Sequence, residues 1–524
     1  MRLADVDKKL LERFPDGFSP LSEIPKPSLL ADAKKASERV AKAIQNREKI
    51  TIIGDYDVDG VVSSAISYLF FKELGFEVEI IIPNRFRDGY GITPELLTKV
   101  KADLIITVDN GIHGFKPAEI CKERGIDLII TDHHNPSDSI PEAFAVVNPK
   151  RVDCLYPYKE ICGAQVIWLL LGEVKRVLSL NIDMGQFLDL IAVAVISDVM
   201  PITGLNHSIV KAGLSRFAKS ERDVNRVIMD KLFAEKRAIS SEDIAFQLSP
   251  RLNSSGRMED AKTSFEFLTS SSYLEASQIF DKIDKYNEER KFVEKDIFER
   301  VAKSVDSSKP VILFYGEDLH EGVIGIVASR VVEKFGKPAF IFSKNGNILK
   351  GSGRSLGNID IFYILTTVSD LLLKWGGHKM AGGLSINISN WEQFCERVWK
   401  SMDIYTEKDF MEISNIFGEL SFEDLDFELM DILKKYEPYG NGNEKPIFLV
   451  KDAKIIKSFR IGKNREYQRI VVEKDNLEKE ILVFQKHEDF LVGDFISFSY
   501  RPNISTFRNE TRIKAFLEKL VKNC

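Results

Sequence analysis

Cysteine is scarce in this chain, with five among 524 residues: Cys121, Cys154, Cys162, Cys395 and Cys524. They are too few and too scattered for a disulfide framework, and no two stand at the close spacing of a zinc-binding pair, so they read as reduced and structural. Long apolar runs are missing too. No stretch approaches the ~20 residues that a membrane-spanning helix requires. A composition of 44% hydrophobic and 29% charged residues, with mean hydropathy -0.13, is that of a soluble protein. The opening residues Met1–Lys9 carry charge with no apolar core behind it, unlike a secretory signal, and this makes a cytoplasmic location the expectation. Internal repeats and low-complexity tracts are absent.

An excess of positive charge is lacking as well. The net charge of -6 argues against wholesale polyanion binding, but the charge is unevenly spread: residues 447–524 hold 16 Lys and Arg against 11 Asp and Glu. A basic terminal module on an acidic body suggests a modest nucleic-acid contact surface.

Against these absences stands one acidic run. Ile50-Thr51-Ile52-Ile53-Gly54-Asp55-Tyr56-Asp57-Val58-Asp59-Gly60 places three carboxylates at alternate positions after an apolar strand-like segment. Three close carboxylates repel one another unless a cation or basic groups neutralise them. In isolation such a run is most simply a solvated acidic loop; the residues that follow argue otherwise.

The length suits about three or four domains. Residues 1–48 read as a helical lead-in. Strand-like runs at Ile50–Ile53, Val78–Ile82, Leu104–Val108, Leu128–Thr131 and Ala145–Val147 follow, with helical patterns at Val61–Leu74, Pro94–Val100 and Phe115–Arg124 between the first four. That alternation predicts βαβ units wound into a parallel α/β sheet over 49–220. Helical patterns at Ala164–Leu180 and Gln186–Ser197 come next, the second ended by Pro201 with Asp198 at its close. A helical segment over 221–305 includes a connector at Leu274–Val301, and a second α/β module spans 306–405. A helical linker over 406–446 and a barrel of alternating strands, of OB type, over 447–524 complete the chain.

Ligands of open α/β sheets sit beyond the carboxyl ends of the strands. Asp55, Asp57 and Asp59 follow the first strand, Asp109 follows Leu104–Val108, and His133 follows Leu128–Thr131, with Asp198 supplied by a helix end. Six such groups, carboxylates with one imidazole, suit Mn²⁺ or Mg²⁺ rather than zinc, and their number suggests two ions. Two ions together can activate water and stabilise the leaving oxygen in phosphodiester hydrolysis. Asp55 is the member best suited to an orienting role in place of direct contact.

The stretches Asp55–Gly60, Val108-Asp109-Asn110-Gly111, Asp132-His133-His134 and Ser197–Pro201 resemble the four motifs of the DHH phosphoesterase superfamily. Pro83–Gly91, Ser249–Arg257 and Gly376–Gly383 narrow the resemblance to the RecJ family of single-strand-specific 5'→3' DNA exonucleases, the last being similar to the DHHA1 signature. The resemblance implies that Asp55, Asp57, Asp59, Asp109, His133 and Asp198 hold metal and that His134 acts on the scissile phosphate. It further implies that Arg251 and Arg257 flank a loop neutralising that phosphate, that Arg85, Ser352 and Arg354 hold the 5' phosphate, and that Asn253 and His378 touch substrate. Lys350–Ser355 reads as a glycine-flanked anion loop, although such turns are more often only turns. His378 fits a structural cap as well as a phosphate contact, and His113 reads as a bystander. Phe459, Tyr467 and Phe507 are candidates for base stacking, with core packing the commoner fate of such residues.

The expected partner is single-stranded DNA, accompanied by a helicase and a single-strand-binding protein. A monomer with no membrane contact is expected. Two other readings stay open: a phosphodiesterase for short oligonucleotides or cyclic dinucleotides, and a non-catalytic replication scaffold.

Overall fold

The computed structural model describes residues 1–234, 238–410, 415–462, 465–484, 489–507 and 510–521, with no side chains described at 505–507 and 510. No helix among the described residues is long and apolar enough to cross a membrane.

Strands β1 (Ile50–Ile53), β2 (Glu79–Ile81), β3 (Leu104–Val108), β4 (Asp127–Thr131) and β5 (Ala145–Val147) form one sheet in the order β2-β1-β3-β4-β5. Every pairing is parallel. Strands β1, β3 and β5 are buried throughout, which explains their nearly unbroken Ile, Leu and Val runs: a parallel sheet is covered on both faces. The helices Val58–Glu73 and Gly163–Leu178 pack beside each other over this sheet. Predicted and observed elements agree here to within a few residues.

A 32-residue helix, Tyr273–Ser304, spans ~48 Å at 1.5 Å per residue and leads to the second module. Its sheet has the order β6-β7-β8-β10-β9, from β6 (Ile312–Glu317), β7 (Ala339–Asn345), β8 (Ile348–Arg354), β9 (Leu372–His378) and β10 (Ala381–Asn387). Only β6 and β7 are parallel.

The third module is a barrel of β12 (Ile447–Ile461), β13 (Tyr467–Lys474), β14 (Leu477–Val483), β15 (Phe495–Phe507) and β16 (Glu510–Leu520), closed by pairing of β12 with β15. Two details differ from the sequence reading. Strand β11 (Ile416–Glu419), inside the stretch read as a helical linker, pairs in parallel with β12. The first helix, Leu3–Leu11, read as a lead-in to the first sheet, buries Val6 and Leu10, followed by Phe14, in the core of the barrel module. Lys435 meets Asp7 at 2.9 Å, and Arg13 donates to the carbonyl of Glu444 at 2.6 Å.

Candidate metal centre and strand cleft

The acidic run begins where β1 ends. Asp57 caps the helix Val58–Glu73, accepting from the amide of Gly60 at 3.1 Å, so Asp59 falls in the first helical turn with its side chain directed inward. There the Asp59 carboxylate receives the amides of Gly163 at 2.6 Å and Ala164 at 2.9 Å, the first residues of a second helix. Unpaired amides at a helix start are natural carboxylate partners. Gly163 is required on steric grounds, since a Cβ there would stand 2.6 Å from Asp109.

Asp109 follows β3 with a left-handed backbone, φ 63°, a conformation that few non-glycine residues adopt. Asn110, which reads in sequence only as a departure from a small residue, explains how this turn is held. It is buried, donates to the carbonyls of Ile53 and Val108, and accepts from the amide of Ile92. The ends of β1 and β3 are thereby pinned side by side.

His133, 5% exposed, lies at the centre. Its Nε2 is 3.2 Å from Asp109, 3.5 Å from Asp198 and 3.7 Å from Asp59. Neither His133 Nε2 nor Asp109 Oδ1 has a hydrogen-bond partner, although both are buried. Such orphaned groups are costly unless something not made of protein satisfies them. Asp55, Asp57 and Asp109 form a second set, with donor atoms within 4.8 Å of one another. Asp55 also accepts from the amide of Tyr56 at 2.7 Å. The six predicted ligands are thus brought together in three overlapping donor groups, Asp55 with Asp57 and Asp109, Asp59 with His133 and Asp198, and Asp109 with His133 and His134, an oxygen-rich arrangement with room for more than one cation.

The electrostatics agree. Burial, and then Asp57, pushes Asp55 well above the carboxylate range. Burial, and then Asp59, does the same to Asp109. Burial and Asp57 raise Asp59 to about 6, and burial and Asp59 raise Asp198 to about 8. Burial, then the neighbouring His134, lowers His133 to about 3, which keeps its ring neutral and free to ligate. Divalent cations would relieve this crowding of negative charge.

His134 differs from its neighbour because of Asp132, a residue of the same motif to which the sequence alone assigns no role. Asp132 accepts His134 Nδ1 at 2.7 Å and the amides of Ile112, His133 and His134. Burial opposes the charge on His134, yet the Asp132 hydrogen bond and charge raise it to about 9. The first sheet therefore holds a neutral imidazole beside a cationic one. His134 faces a cleft of about 780 Å³ whose far wall is Gly376, Gly377 and Gly383 of the second module. His113 lies on the same wall, 3.2 Å from Ser137 and outside all three donor groups, as a bystander would.

Arg85, Arg257, Ser352 and Arg354 line one pocket of about 580 Å³. Lys350–Arg354 forms part of strand β8 and not the predicted loop, and strand alternation puts Ser352 and Arg354 on one face. Arg354 Nη1 donates to Ser352 Oγ at 2.8 Å. Gly325, in the first turn of the helix Ile324–Phe335, lines the same pocket, and a Cβ there would stand 2.9 Å from Arg354 Nη2 and 3.1 Å from Ser352 Oγ. Arg85 lies over the ring of Tyr56 at 4.2 Å, and its buried Nε has no hydrogen-bond partner. Burial first, then Arg85, Arg290 and Arg354, lowers Arg257 to about 10, while Asp57 acts in the other direction. Arg257 therefore joins the cationic pocket to the acidic cluster.

One expectation changes, and three further residues take their places around it. Ser249–Met258 is a helix, not a loop. On it, Arg251 turns to Asp284 of the connector helix at 2.7 Å and to the carbonyl of Gln247 at 2.7 Å, so its charge is already compensated within the protein. Asn253 lines a separate cleft together with Arg257. His378 is exposed at the end of β9, where its Nδ1 accepts from the amide of Met380 at 3.3 Å, the structural cap that was its alternative reading. In the barrel, Phe459 is 44% exposed and Tyr467 is half-buried against Phe484, so neither joins the core; the side chain of Phe507 lies outside the described residues.

A carboxylate–imidazole cluster at the carboxyl ends of a parallel sheet, beside a pocket to which the first module gives Arg85 and Arg257 and the second gives Arg354, defines a phosphoesterase of the DHH class. Residues 49–195 match the DHH family, N-terminal domain, residues 308–403 the DHHA1 domain, and residues 416–519 the RecJ OB domain. The chain is 32% identical over 466 residues to the single-stranded-DNA-specific exonuclease RecJ of Salmonella typhimurium, covering 84% of this chain and 80% of that protein. It is 31% identical over 495 residues to RecJ of Bacillus subtilis, covering 91% of this chain and 62% of that longer protein. The crystal structure of RecJ in complex with Mn²⁺ from Thermus thermophilus superposes with a TM-score of 0.83 at 27% identity, over 94% of this chain and 72% of that one. This chain belongs to the RecJ family.

Proposed function

We propose that the protein is a metal-dependent exonuclease that shortens single-stranded DNA from a 5'-phosphorylated end, releasing 5' mononucleotides during recombination and repair in the cytoplasm. The observation that carries this reading is the contact, through Arg257, between a pocket of positive charge and a cluster of negative charge. Each contains buried polar atoms without a hydrogen-bond partner, Arg85 Nε in the one and Asp109 Oδ1 and His133 Nε2 in the other, the first suited to a terminal phosphate and the second to cations. The names of relatives supply the polymer and strand specificity; Mn²⁺ and Mg²⁺ are the ions in the two Thermus RecJ complexes.

Asp55, Asp57, Asp59, Asp109, His133 and Asp198 would hold two such ions, which when bound supply an activated water and Lewis-acid stabilisation of phosphate oxygens. The protein's own groups do the rest. Arg354, Ser352 and Arg85 take the 5' phosphate and so set the register at one nucleotide. Arg257 lies between that phosphate and the next. His134, with Nδ1 donating to Asp132, directs Nε2–H into the cleft, where it stabilises charge on the scissile phosphate. Water adds to phosphorus, the bond to the 3' oxygen of the terminal nucleotide breaks, and the shortened strand keeps a new 5' phosphate ready for the same pocket.

The test is digestion of end-labelled strands with Mn²⁺ or Mg²⁺. Labelled mononucleotide should appear at once from the 5' end of single strands. Release from 3' ends first, or equal attack on blunt duplex, contradicts the proposal. A helicase and a single-strand-binding protein as companions, and a monomeric state, belong to the same proposal and are checked by copurification and sedimentation.

A further inference from the structure

The pocket lined by Arg85, Arg257, Ser352 and Arg354 does not end at those residues. It continues along the second sheet to Lys350, Ser385 and Lys374. Strand register brings the three together. Ser385 of β10 stands opposite both Lys350 of β8 and Lys374 of β9, and two residues away Gly383 stands opposite both Ser352 and Gly376. Residues directly opposite in an antiparallel pair share a face, so Lys350-Ser385-Lys374 and Ser352-Gly383-Gly376 are neighbouring rows on one side of the sheet. Gly351 and Gly353 turn to the other side, where the rings of Phe342 and Phe340 occupy the place of a Cβ.

The two rows differ in what they adjoin. Gly376 and Gly383 also line the cleft that His134 faces, whereas Lys350, Ser385 and Lys374 do not, so the second row lies on the side of the pocket away from the reacting centre. Two residues of strand separate the rows, ~7 Å at about 3.4 Å per residue, a span that two further phosphates joined to the first can bridge. The floor is open, since a Cβ at Gly376 or Gly383 would meet nothing within 4 Å. Charge in the pocket is unbalanced. Glu321 is its one carboxylate among the described residues, paired with Lys350 at 3.0 Å. Arg85, Arg257, Lys350, Arg354 and Lys374 against Glu321 leave an excess of four positive charges. A phosphate monoester brings only about -1.5 to -2 at pH 7. Lys374, exposed on the edge strand β9, makes no ion pair with a described residue.

Resting on the exonuclease reading, we propose that the pocket accepts 5' ends that carry a diphosphate or triphosphate as well as a monophosphate. The innermost phosphate takes the place formed by Arg85, Ser352 and Arg354. The outer phosphates run across the second row to Lys350, Ser385 Oγ and Lys374, with Lys350 exchanging Glu321 for the phosphate chain. Water adds to the next phosphorus along the strand, the bond to the 3' oxygen of the terminal nucleotide breaks, and that oxygen takes up a proton. A nucleoside 5'-triphosphate leaves, the shortened strand keeps a 5' monophosphate, and the phosphoanhydride bonds stay intact. Ends of this kind remain wherever a strand is begun directly from a nucleoside triphosphate, so unprimed polymerisation is the class of reaction that supplies the substrate.

The experiment gives full-length protein, with Mn²⁺ in excess over the strand, single DNA strands of one sequence ending in a 5'-hydroxyl, a 5'-monophosphate or a 5'-triphosphate, and separates the first products by anion exchange. Triphosphate ends should be cut with a KM no higher than that of monophosphate ends, and nucleoside triphosphate should be the first product. Lys374→Ala should raise the ratio of the triphosphate KM to the monophosphate KM about tenfold, equivalent to about 1.4 kcal/mol. Lys374→Arg should hold that ratio at its wild-type value, and Glu321→Gln should lower it. Melting temperatures of all variants report folding. A triphosphate end that binds no better than a 5'-hydroxyl, release of pyrophosphate before any nucleotide, or a ratio unmoved in Lys374→Ala overturns the proposal. A wild type that releases nothing from monophosphate strands instead overturns the exonuclease reading beneath it, so the two failures are distinguishable.

Discussion

The two α/β modules face each other with opposite construction and give different groups to the space between them. The first is a wholly parallel sheet whose strand ends release acidic residues into one space, with helix amides holding their orientation. The second is a mostly antiparallel sheet that presents Ser352 and Arg354 from one strand face. Each wall keeps its charges short of compensation. Asp109 Oδ1 and His133 Nε2 lack partners on one side, and Arg85 Nε lacks one beside the other wall. A folded protein tolerates buried unpaired charge where a ligand will neutralise it. The first wall thus suits whatever the reaction requires to be constant, the second whatever changes with every turnover.

The contrast can be broken most completely at its shared acidic ligand. Asp109→Asn should reduce hydrolysis by about 10³-fold or more and lower the metal stoichiometry seen by titration calorimetry, because Asp109 belongs to two of the three donor groups and lies 3.2 Å from His133 of the third. A variant that keeps wild-type turnover would dissolve the assignment of the first wall.

The second wall should fail differently. Arg354→Ala should reduce the preference for 5'-phosphorylated over 5'-hydroxyl ends by about 10- to 100-fold, the loss of one charge-assisted hydrogen bond of about 1.5–3 kcal/mol, while metal binding stays intact. Competition between the two kinds of end measures this directly.

Removing the ions should expose the first wall alone. Asp59 and Asp198 have folded-state pKa values of about 6 and about 8, above their ordinary value, so the native metal-free protein binds protons that the unfolded chain has released. Stability in EDTA should therefore fall as pH rises from about 4 through 8. His134, raised to about 9, adds in the same direction: its contribution is complete below its ordinary value of 6.5 and is lost as pH passes about 9. Melting temperature in EDTA should drop by several degrees between pH 5.5 and 8.5, and saturating Mn²⁺ should flatten the curve. A flat curve in EDTA would mean that the cluster is not crowded as described.

The smallest effect belongs to Arg251. Compensated by Asp284, it should matter to packing more than to chemistry. Arg251→Gln should destabilise by about 1–3 kcal/mol in denaturant melts, with less change in kcat than either variant above; a loss comparable to Asp109→Asn would return it to the reacting phosphate.

The acidic wall was legible in the sequence because strands buried on both faces read as apolar runs, and the residues that follow them are the ones the fold gathers into the carboxylate–imidazole cluster. The second wall was harder to read. Gly351 and Gly353 suggested a loop, yet they lie in β8 because Phe342 and Phe340 pack against them: a Cβ at either would fall about 2.4–2.5 Å from a ring carbon. Ser249–Met258 looked irregular for its Pro, Asn, Ser and Gly content. Tertiary bonds make it helical, among them Ser254 Oγ to Ile283 O and Ser255 Oγ to Ser264 Oγ. Asp132 left no usable signal, since its position behind the His134 ring is a geometry that residue spacing does not encode.

The placement of helix Leu3–Leu11 has a consequence for how the chain is made. Lys9 donates to the carbonyl of Phe417, and Tyr436 donates to Asp7, contacts more than 400 residues apart in sequence. Nine residues are too few for a helix to persist unaided in water. At about 5–20 residues per second of synthesis, Val6, Leu10 and Phe14 wait on the order of 25–100 seconds for the barrel that covers them. During that interval an amphipathic segment is open to chaperones and to the same segment on neighbouring ribosomes.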